Sequence, residues 1–254
     1  MTLARKVQHY WRATKAAVVD QPAAADPADA AAWRDAVALW DELFGSFSPL
    51  IEGADVLELG CGDARLLGAV LHSGARSARG FERFAYWKGE GAGAAWLAER
   101  TPRLTLHTDI TALDDLEDGL ADLILARELD GFLPLEGLEE RLALLFRLLR
   151  PGGEAILRLR CGHPEGGPDG PGYGFMTPTA WNALMLSTGF EIVEVRRIWR
   201  DPVAQGRAAA WLPHASDDER LTAETHLHLA RPWESWELDG LKPYGDQRRT
   251  RKRG

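Results

Sequence analysis

The chain has 254 residues, of which 45% are hydrophobic, and a formal net charge of −8. This length predicts a sizeable core and, for an α/β protein, one domain; the apolar content is typical of a soluble globular protein. The negative charge gives no general support for nucleic-acid binding, and no apolar run reaches the roughly 18 residues that a membrane helix needs. The charged segment 1–10 lacks the apolar core of a signal peptide, and Cys61 and Cys161 show no metal-ligand spacing. We therefore expect a cytoplasmic protein without disulfides or a bound metal.

The first 50 residues are expected to form helices ahead of the first strand. Residues 1–20 are compatible with one helix, and a linker rich in Ala, Pro and Asp covers 21–30. A second helix is predicted from Ala31 to Phe44, because apolar side chains recur there at helical spacing. We interpret residues 1–50 as a helical extension or lid of the main domain.

The most informative stretch, residues 55–66, reads Asp-Val-Leu-Glu-Leu-Gly-Cys-Gly-Asp-Ala-Arg-Leu. An apolar strand ends in the turn Gly60-Cys61-Gly62, and a helix is predicted directly after it, at 63–73. A strand–turn–helix of this kind directs backbone N–H groups and a helix N-terminus at a ligand. The two glycines permit a tight turn and a close approach of that ligand.

Two residues select the ligand of this turn. The dinucleotide fingerprint G-x-G-x-x-G needs glycine where this chain has Arg65. Glu58, two residues before the first glycine, favours an ammonium group over a pyrophosphate, which indicates S-adenosylmethionine (SAM). The stretch resembles motif I of the class I SAM-dependent methyltransferases, Asp/Glu-x-Gly-x-Gly-x-Gly, with Ala64 at the third glycine. Because this position is predicted to open the helix, where alanine is favoured, we expect the replacement to be mild.

From residue 54 onward, strands and helices alternate, which is typical of a parallel sheet covered on both faces. The resemblance covers residues 50–231 and implies the Rossmann-like fold of class I methyltransferases. That fold is a seven-stranded, mostly parallel sheet with helices on both faces, in which the last strand runs antiparallel between the fifth and sixth. Residues 51–231 form this domain, and 232–254 form a tail. The predicted strands are 54–59, 77–82, 104–109, 121–127, 154–160, 190–197 and 224–230; the helices after the first are 91–100, 135–149 and a segment from Pro178 to Gly189.

Acidic residues are expected at the ends of the first three strands, namely Glu58, Glu82 and Asp109. Glu82 closes the second strand, where its two oxygens suit a ribose diol. Asp109 closes the third strand and can accept a hydrogen bond from the adenine amino group, with Ile110 against the ring. The resemblance implies the same contacts at these positions. The full set of residues expected to bind the cofactor is Glu58, Gly60, Cys61, Gly62, Glu82, Arg83, Asp109, Ile110 and Arg127.

Methyl transfer from a sulfonium requires alignment first, and a base where the acceptor must lose a proton. The candidate bases are Glu128 and His163. The resemblance implies Glu128, because class I methyltransferases often carry Glu at this position, and His163 lies in the Gly- and Pro-rich loop after the fifth strand. The structural alternatives are a hydrogen bond to a helix N-terminus for Glu128 and a solvated loop residue for His163. His226 and His228 share one strand face, and without a third ligand a polar strand face is favoured over a metal site.

The leading prediction is a SAM-dependent methyltransferase acting on an O or N atom of a small molecule. RNA or protein methylation is an alternative, because five cations occupy residues 248–253, although a solvated tail explains them more simply. A third interpretation is a SAM-binding partner protein without catalysis. A nicotinamide dehydrogenase is disfavoured, because Arg65 replaces the third glycine of the dinucleotide fingerprint. Most of the ten tryptophans are expected to pack in the core or in a lid. Some are candidates to line an acceptor pocket that Tyr10, Trp11 and the insert at 201–222 would close.

Overall fold

The computed structural model describes residues 51–62, 64–82, 102–127, 137–161, 176–199, 214 and 216–233. The strands in these residues are β1 (Asp55–Leu59), β2 (Ser77–Phe81), β3 (Leu104–His107), β4 (Ala121–Arg127), β5 (Leu149–Arg160), β6 (Glu191–Trp199) and β7 (Thr222–Ala230). The helices are α1 (Arg65–His72), a 3-10 turn (Ile110–Leu113), α2 (Leu138–Leu148), α3 (Pro178–Thr188) and α4 (Asp217–Leu221).

The seven strands form one sheet in the order β3-β2-β1-β4-β5-β7-β6. Strands β1 to β5 run parallel to one another, whereas β7 is antiparallel to both β5 and β6. This arrangement confirms the predicted fold class, including the antiparallel last strand. The predicted N-terminal helices, the helix at 91–100 and the basic tail lie outside the described residues. None of the helices in the described ranges is long and apolar enough to cross a membrane.

Side chains of β1 alternate between two separate apolar clusters, one on each face of the sheet. Val56 packs with Leu66, Leu67 and Val70 of α1, and we call this side the α1 face. Leu57 packs in the other cluster, which also contains residues of α2 and α3, and we call that side the α2/α3 face. Burial on both faces explains why the parallel strands are almost continuously apolar.

Helix α3 begins and ends as its sequence predicts. The Thr177 side chain accepts a hydrogen bond from the Ala180 N–H at 3.1 Å, and Pro178 occupies the first turn, where a missing N–H is harmless. Gly189 ends the helix with φ of 104°, a conformation that glycine adopts without strain.

Strand β5 begins at Leu149, five residues before its predicted start at 154. Helix α2 ends at Leu148, as the Pro-Gly-Gly segment predicts, but Leu149 already pairs with Ala121, and the register then shifts so that Glu154 pairs with Leu123. The intervening Arg150 donates to Asp122 at 2.7 Å and to Asp55 at 2.6 Å. Burial opposes the charge of Arg150, but the two carboxylates outweigh it and raise its pKa. These ion pairs hold β1, β4 and β5 together at the end of the sheet opposite the glycine turn.

Candidate functional site

The glycine turn is attached to the end of β2 by backbone hydrogen bonds. The Gly60 N–H donates to the Phe81 carbonyl at 2.9 Å, and the Cys61 N–H donates to the same oxygen at 3.3 Å. Gly60 and Gly62 have φ of 72° and 57°, which is the left-handed region that glycine adopts without strain. The predicted turn is therefore present, and its conformation explains its two glycines.

Ala64 precedes the helix, which begins at Arg65. The prediction that alanine is favoured here because it is the first helical residue is therefore wrong. Ala64 has φ of 60° and ψ of 18°, a left-handed conformation that costs a non-glycine residue roughly 1–2 kcal/mol. The residue is fully buried, and its N–H donates to the Cys61 carbonyl at 2.8 Å. The third glycine of the motif therefore corresponds to a position where glycine would relieve strain.

Glu82 is held between the glycine turn and β3. Its backbone N–H donates to the His107 carbonyl at 3.0 Å, and its side-chain Oε2 accepts a hydrogen bond from the Gly62 N–H at 3.0 Å. The residue follows the last residue of β2 and is 9% exposed. The structure thus brings together two of the predicted cofactor residues, and it fixes the orientation of the carboxylate.

No described residue fills the space beside Gly62. A Cβ built on Gly62 would meet no atom of the described residues within 4 Å, so none of them blocks a close approach of a ligand from this side. A turn with exposed backbone, next to an oriented carboxylate, can bind a ligand that carries a diol. The geometry therefore fits a nucleoside at the carboxyl ends of β1 and β2.

Glu58 lies inside the sheet. It is fully buried, and its neighbours in the adjacent strands are Gly80 of β2 and Leu125 of β4. Strand alternation places it on the α1 face, with Val56. Its predicted contact with a ligand ammonium group stays a prediction.

Asp109 lies beyond β3, because that strand ends at His107 and not at 109. The Asp109 carboxylate caps the following 3-10 turn, accepting the Thr111 N–H at 2.9 Å and the Thr111 hydroxyl at 2.7 Å. These hydrogen bonds lower its pKa below the ordinary value. Asp109 is exposed, while Ile110 packs partly buried against the core. Asp109 and Ile110 thus follow β3, the strand that was predicted to precede them. Their contacts with adenine stay predictions.

His107 is a residue that sequence reasoning missed. Its ring stacks on the buried Phe81 ring, with centroids 4.6 Å apart and planes 9° apart. Burial, and then the charge of Arg79, lower its pKa. Phe81 and His107 face each other only because β2 and β3 pair in this register. The signal in the sequence was an aromatic ring at the end of each of two strands. It does not predict stacking until the pairing register of the strands is known.

Polar residues of β7 form hydrogen bonds with one another and with residues of β5 on the α1 face. His228 lies 2.7 Å from Glu154, and both are buried. Arg158 donates to both oxygens of Glu224, at 2.6 and 2.9 Å, and His226 lies 3.3 Å from the same carboxylate. Burial opposes ionisation of Glu224, but hydrogen bonds with His226 and Arg158 outweigh it and lower its pKa to about 2.

This pairing confirms that His226 and His228 belong to a polar strand face. In the described part of the chain, no group of three or more His, Cys, Asp and Glu residues is arranged to hold a metal ion. Cys61 and Cys161 are both buried and are not joined in a disulfide.

The remaining predicted site residues are placed only in part. Arg83, Glu128 and His163 lie outside the described residues. The backbone of Arg127 ends β4 and pairs with Arg158 of β5. The roles given to these four residues therefore stay predictions.

No family model and no curated protein matches this chain. Solved structures do match. The [4+2]-cyclase SpnF shares 18% identity with a TM-score of 0.55, over 80% of this chain and 81% of its own. A putative S-adenosylmethionine dependent methyltransferase from Listeria monocytogenes shares 16% with a TM-score of 0.53, over 78% and 98%. Phosphoethanolamine N-methyltransferase 2 from Haemonchus contortus, in complex with S-adenosyl-L-methionine, shares 13% with a TM-score of 0.54, over 79% and 53%. The chain therefore has the fold of the class I SAM-dependent methyltransferases.

Proposed function

We propose that this protein binds SAM at the carboxyl ends of β1, β2 and β3 and transfers its methyl group to an O or N atom of a small molecule. The observation that carries the proposal is the hydrogen bond between the Gly62 N–H and the Glu82 carboxylate. It joins the glycine turn to an acid that suits a ribose diol. The methyltransferase neighbours, one of them solved with SAM, support the same ligand.

The residues of the chain fit the parts of this cofactor. Among the described residues, none fills the Gly62 side of the turn where the ligand backbone would approach, and Glu82 is the proposed acceptor of hydrogen bonds from the ribose hydroxyls. Asp109 and Ile110, just beyond β3, are the proposed partners of the adenine. Cys61 contributes its backbone, because its side chain is fully buried.

SAM, when bound, supplies a methyl group on a sulfonium that is already a good leaving group. The chain therefore has to align the acceptor with that methyl group and exclude water. Positioning of this kind contributes roughly 7–11 kcal/mol to lowering a barrier. Glu82 anchors the ribose and so fixes the rest of the cofactor relative to the end of β4. Glu128 and His163 are the proposed bases for an acceptor that must lose a proton.

The cyclase among the neighbours shows that methyl transfer does not follow from the fold. A SAM-binding protein without methyl transfer is therefore the main rival, and RNA or protein methylation is the second. A catalytic assay with radiolabelled SAM separates them. Transfer to small molecules supports the proposal, and transfer to RNA or protein, lost on deletion of residues 247–254, supports the second rival.

Calorimetric titration with SAM and with S-adenosylhomocysteine tests the binding step. Wild type is expected to bind both. Glu82→Gln keeps an oxygen for the Gly62 N–H but removes the charge, and hydrogen bonds to charged groups contribute about 1.5–3 kcal/mol. We therefore expect affinity to fall by roughly 10- to 150-fold. Glu117→Gln, at an exposed residue before β4, is the matched control. A folded wild-type protein that binds neither ligand would refute the proposal.

A further inference from the structure

Strand β6 is at the edge of the sheet. It pairs with β7 on one side, and in the described residues no strand lies on its other side. An unpaired edge presents backbone N–H and C=O groups that can bind another strand. Natural edge strands usually prevent pairing with another strand by means of charged side chains or bulges. In β6, a bulge near Val193 interrupts the strand. Beyond that bulge, Glu194 to Ile198 pair regularly with β7.

The second half of β6, up to its last residue beyond a further register shift at Ile198/Trp199, exposes apolar side chains. Val195 is 37% exposed, Ile198 39% and Trp199 54%. Val195 pairs with Leu227, whose side chain lies on the α2/α3 face, so Val195 lies on that face too. Helix α3 packs on the same face, and its Leu186 is 57% exposed. Val195 and Leu186 are therefore exposed apolar residues on the same side of the sheet, whereas Ile198, which pairs with Glu224, lies on the opposite face.

The charges beside Val195 have opposite signs. Glu194 and Arg196 are both exposed, and neither forms an ion pair with another residue of the described ranges. They lie on the opposite face of the strand from Val195, because side chains alternate along it. By contrast, Arg197 already lies 3.6 Å from Asp218 of α4.

These charges make β6 complementary to itself. A two-fold axis perpendicular to the sheet brings two copies of β6 together as antiparallel neighbours, with one residue opposite its own copy. If that residue is Val195, each Glu194 lies opposite the Arg196 of the other copy, which forms two opposite-charge pairs. Axes at Glu194 or at Arg196 instead place like charges opposite each other, which is destabilising. Charge therefore selects one register out of these three.

We propose that two copies of this chain associate through β6, in an antiparallel pairing centred on Val195, to form a continuous sheet across a two-fold axis. The partner is a second copy because a two-fold interface must be self-complementary, and Glu194, Val195 and Arg196 together meet that condition. The bulge keeps the strand ladder short. The proposal is independent of the proposed enzymatic function.

Sedimentation of the full chain with charge variants tests this pairing. Wild type is expected to sediment as a dimer at twice the 28.0 kDa of one chain. In each single variant, Glu194→Arg or Arg196→Glu, both cross-copy pairs of residues 194 and 196 carry like charges. We expect either variant to raise the dissociation constant of the dimer by about tenfold or more. The double variant Glu194→Arg/Arg196→Glu restores both pairs and should dimerise again. An equimolar mixture of the two single variants should also dimerise, because each supplies the charge that the other needs.

Disulfide trapping tests the position of the axis. Cβ atoms of directly opposite residues in antiparallel strands lie about 4.5–5.5 Å apart, so Val195→Cys should crosslink with its own copy on mild oxidation. The two native cysteines are buried, which makes the introduced thiol the reactive one. Glu117→Cys is the control and should stay uncrosslinked.

Three results would overturn the proposal. The first is a wild type that stays monomeric at high micromolar concentration. The second is a dimer that the single charge variants do not weaken relative to Glu117→Arg. The third is a dimer in which Val195→Cys crosslinks no faster than Glu117→Cys. Circular dichroism shows whether each variant is folded, and recovery in the double variant and in the mixture excludes misfolding as the cause of dissociation.

Discussion

Gly80 of β2 lies where the glycine turn, α1 and β3 meet, and replacing it with alanine should disturb all three. A Cβ at this position would stand 2.6 Å from Cδ1 of Leu67, 2.7 Å from Sγ of Cys61 and 2.9 Å from Cδ2 of Leu106. Optimal separations of non-bonded carbon atoms are about 3.5–4.0 Å, so each neighbour must move by roughly 1 Å. The effect is purely steric, because Gly80 is not among the residues with positive φ.

The cost follows from these overlaps. Adding one carbon to a well-packed core destabilises a protein by about 1–3 kcal/mol, and loss of glycine flexibility in the unfolded chain offsets about 0.4–1 kcal/mol of that. We therefore expect Gly80→Ala to lower the free energy of unfolding by about 1–2 kcal/mol, measured by urea denaturation with tryptophan fluorescence. Because Cys61 lies between the two glycines of the turn, SAM affinity should fall as well.

A double-mutant cycle tests the cause. Cys61→Ala removes the Sγ atom that Gly80→Ala would contact, so the double variant should be more stable than the sum of the two single effects predicts. Contacting residues usually show interaction energies of about 0.5–3 kcal/mol. A Gly80→Ala protein as stable as wild type, or a cycle with no interaction energy, would refute the packing described around the turn.

Three further predictions concern individual contacts. Ala64→Gly should change the free energy of unfolding by less than about 1 kcal/mol, because relief of left-handed strain opposes the loss of a buried methyl group, whereas Ala64→Val should destabilise strongly in thermal melts. The pKa of Glu224 is about 2 against an ordinary 4.5, so its carboxylate stabilises the fold above pH 4.5 and that contribution is lost as pH falls towards 2; urea denaturation of Glu224→Gln should show a shallower decline in this window, and an unchanged slope would contradict the ion pair. His228→Leu, which removes the 2.7 Å hydrogen bond to the buried Glu154, should cost about 1–3 kcal/mol, and the double variant with Glu154→Leu should recover part of that loss; equal stability of both variants would show that the two residues are not coupled.

The alternation of strands and helices was sufficient to predict most element positions, because each strand is bounded by glycine or polar residues. The bounds of β4 are correct, and those of the other strands differ from the prediction by two residues or fewer at most ends, with the start of β5 as the main exception. The sheet order came from the resemblance to methyltransferases, since periodicity carries no information about which strands are neighbours.

Other features depend on tertiary contacts and were not visible in the sequence. The start of β5 is determined by Arg150, which binds two acids from other strands. The conformation of Ala64 is set by the turn before it, and helix propensity did not predict it. The stacking of Phe81 on His107 requires the register of two strands. These are contacts between residues distant in the chain, which local patterns do not encode.

The candidate site was predicted to the level of residue positions, and its contacts were not. Glu82 follows β2 as expected, but its hydrogen bond to the Gly62 N–H depends on the turn geometry. Asp109 lies beyond the end of its strand because its carboxylate caps the next turn. Motif spacing therefore identified the elements that surround the glycine turn, while side-chain orientation needed the structure.

A crystal structure of the protein grown with S-adenosylhomocysteine would test the central claim most directly. The account predicts the ribose hydroxyls against the Glu82 carboxylate, the ligand backbone beside Gly62, and the adenine next to Asp109 and Ile110. The ligand bound elsewhere on the molecule, or crystals without it despite saturating concentration, would contradict the assignment of the carboxyl ends of β1, β2 and β3 as a cofactor site.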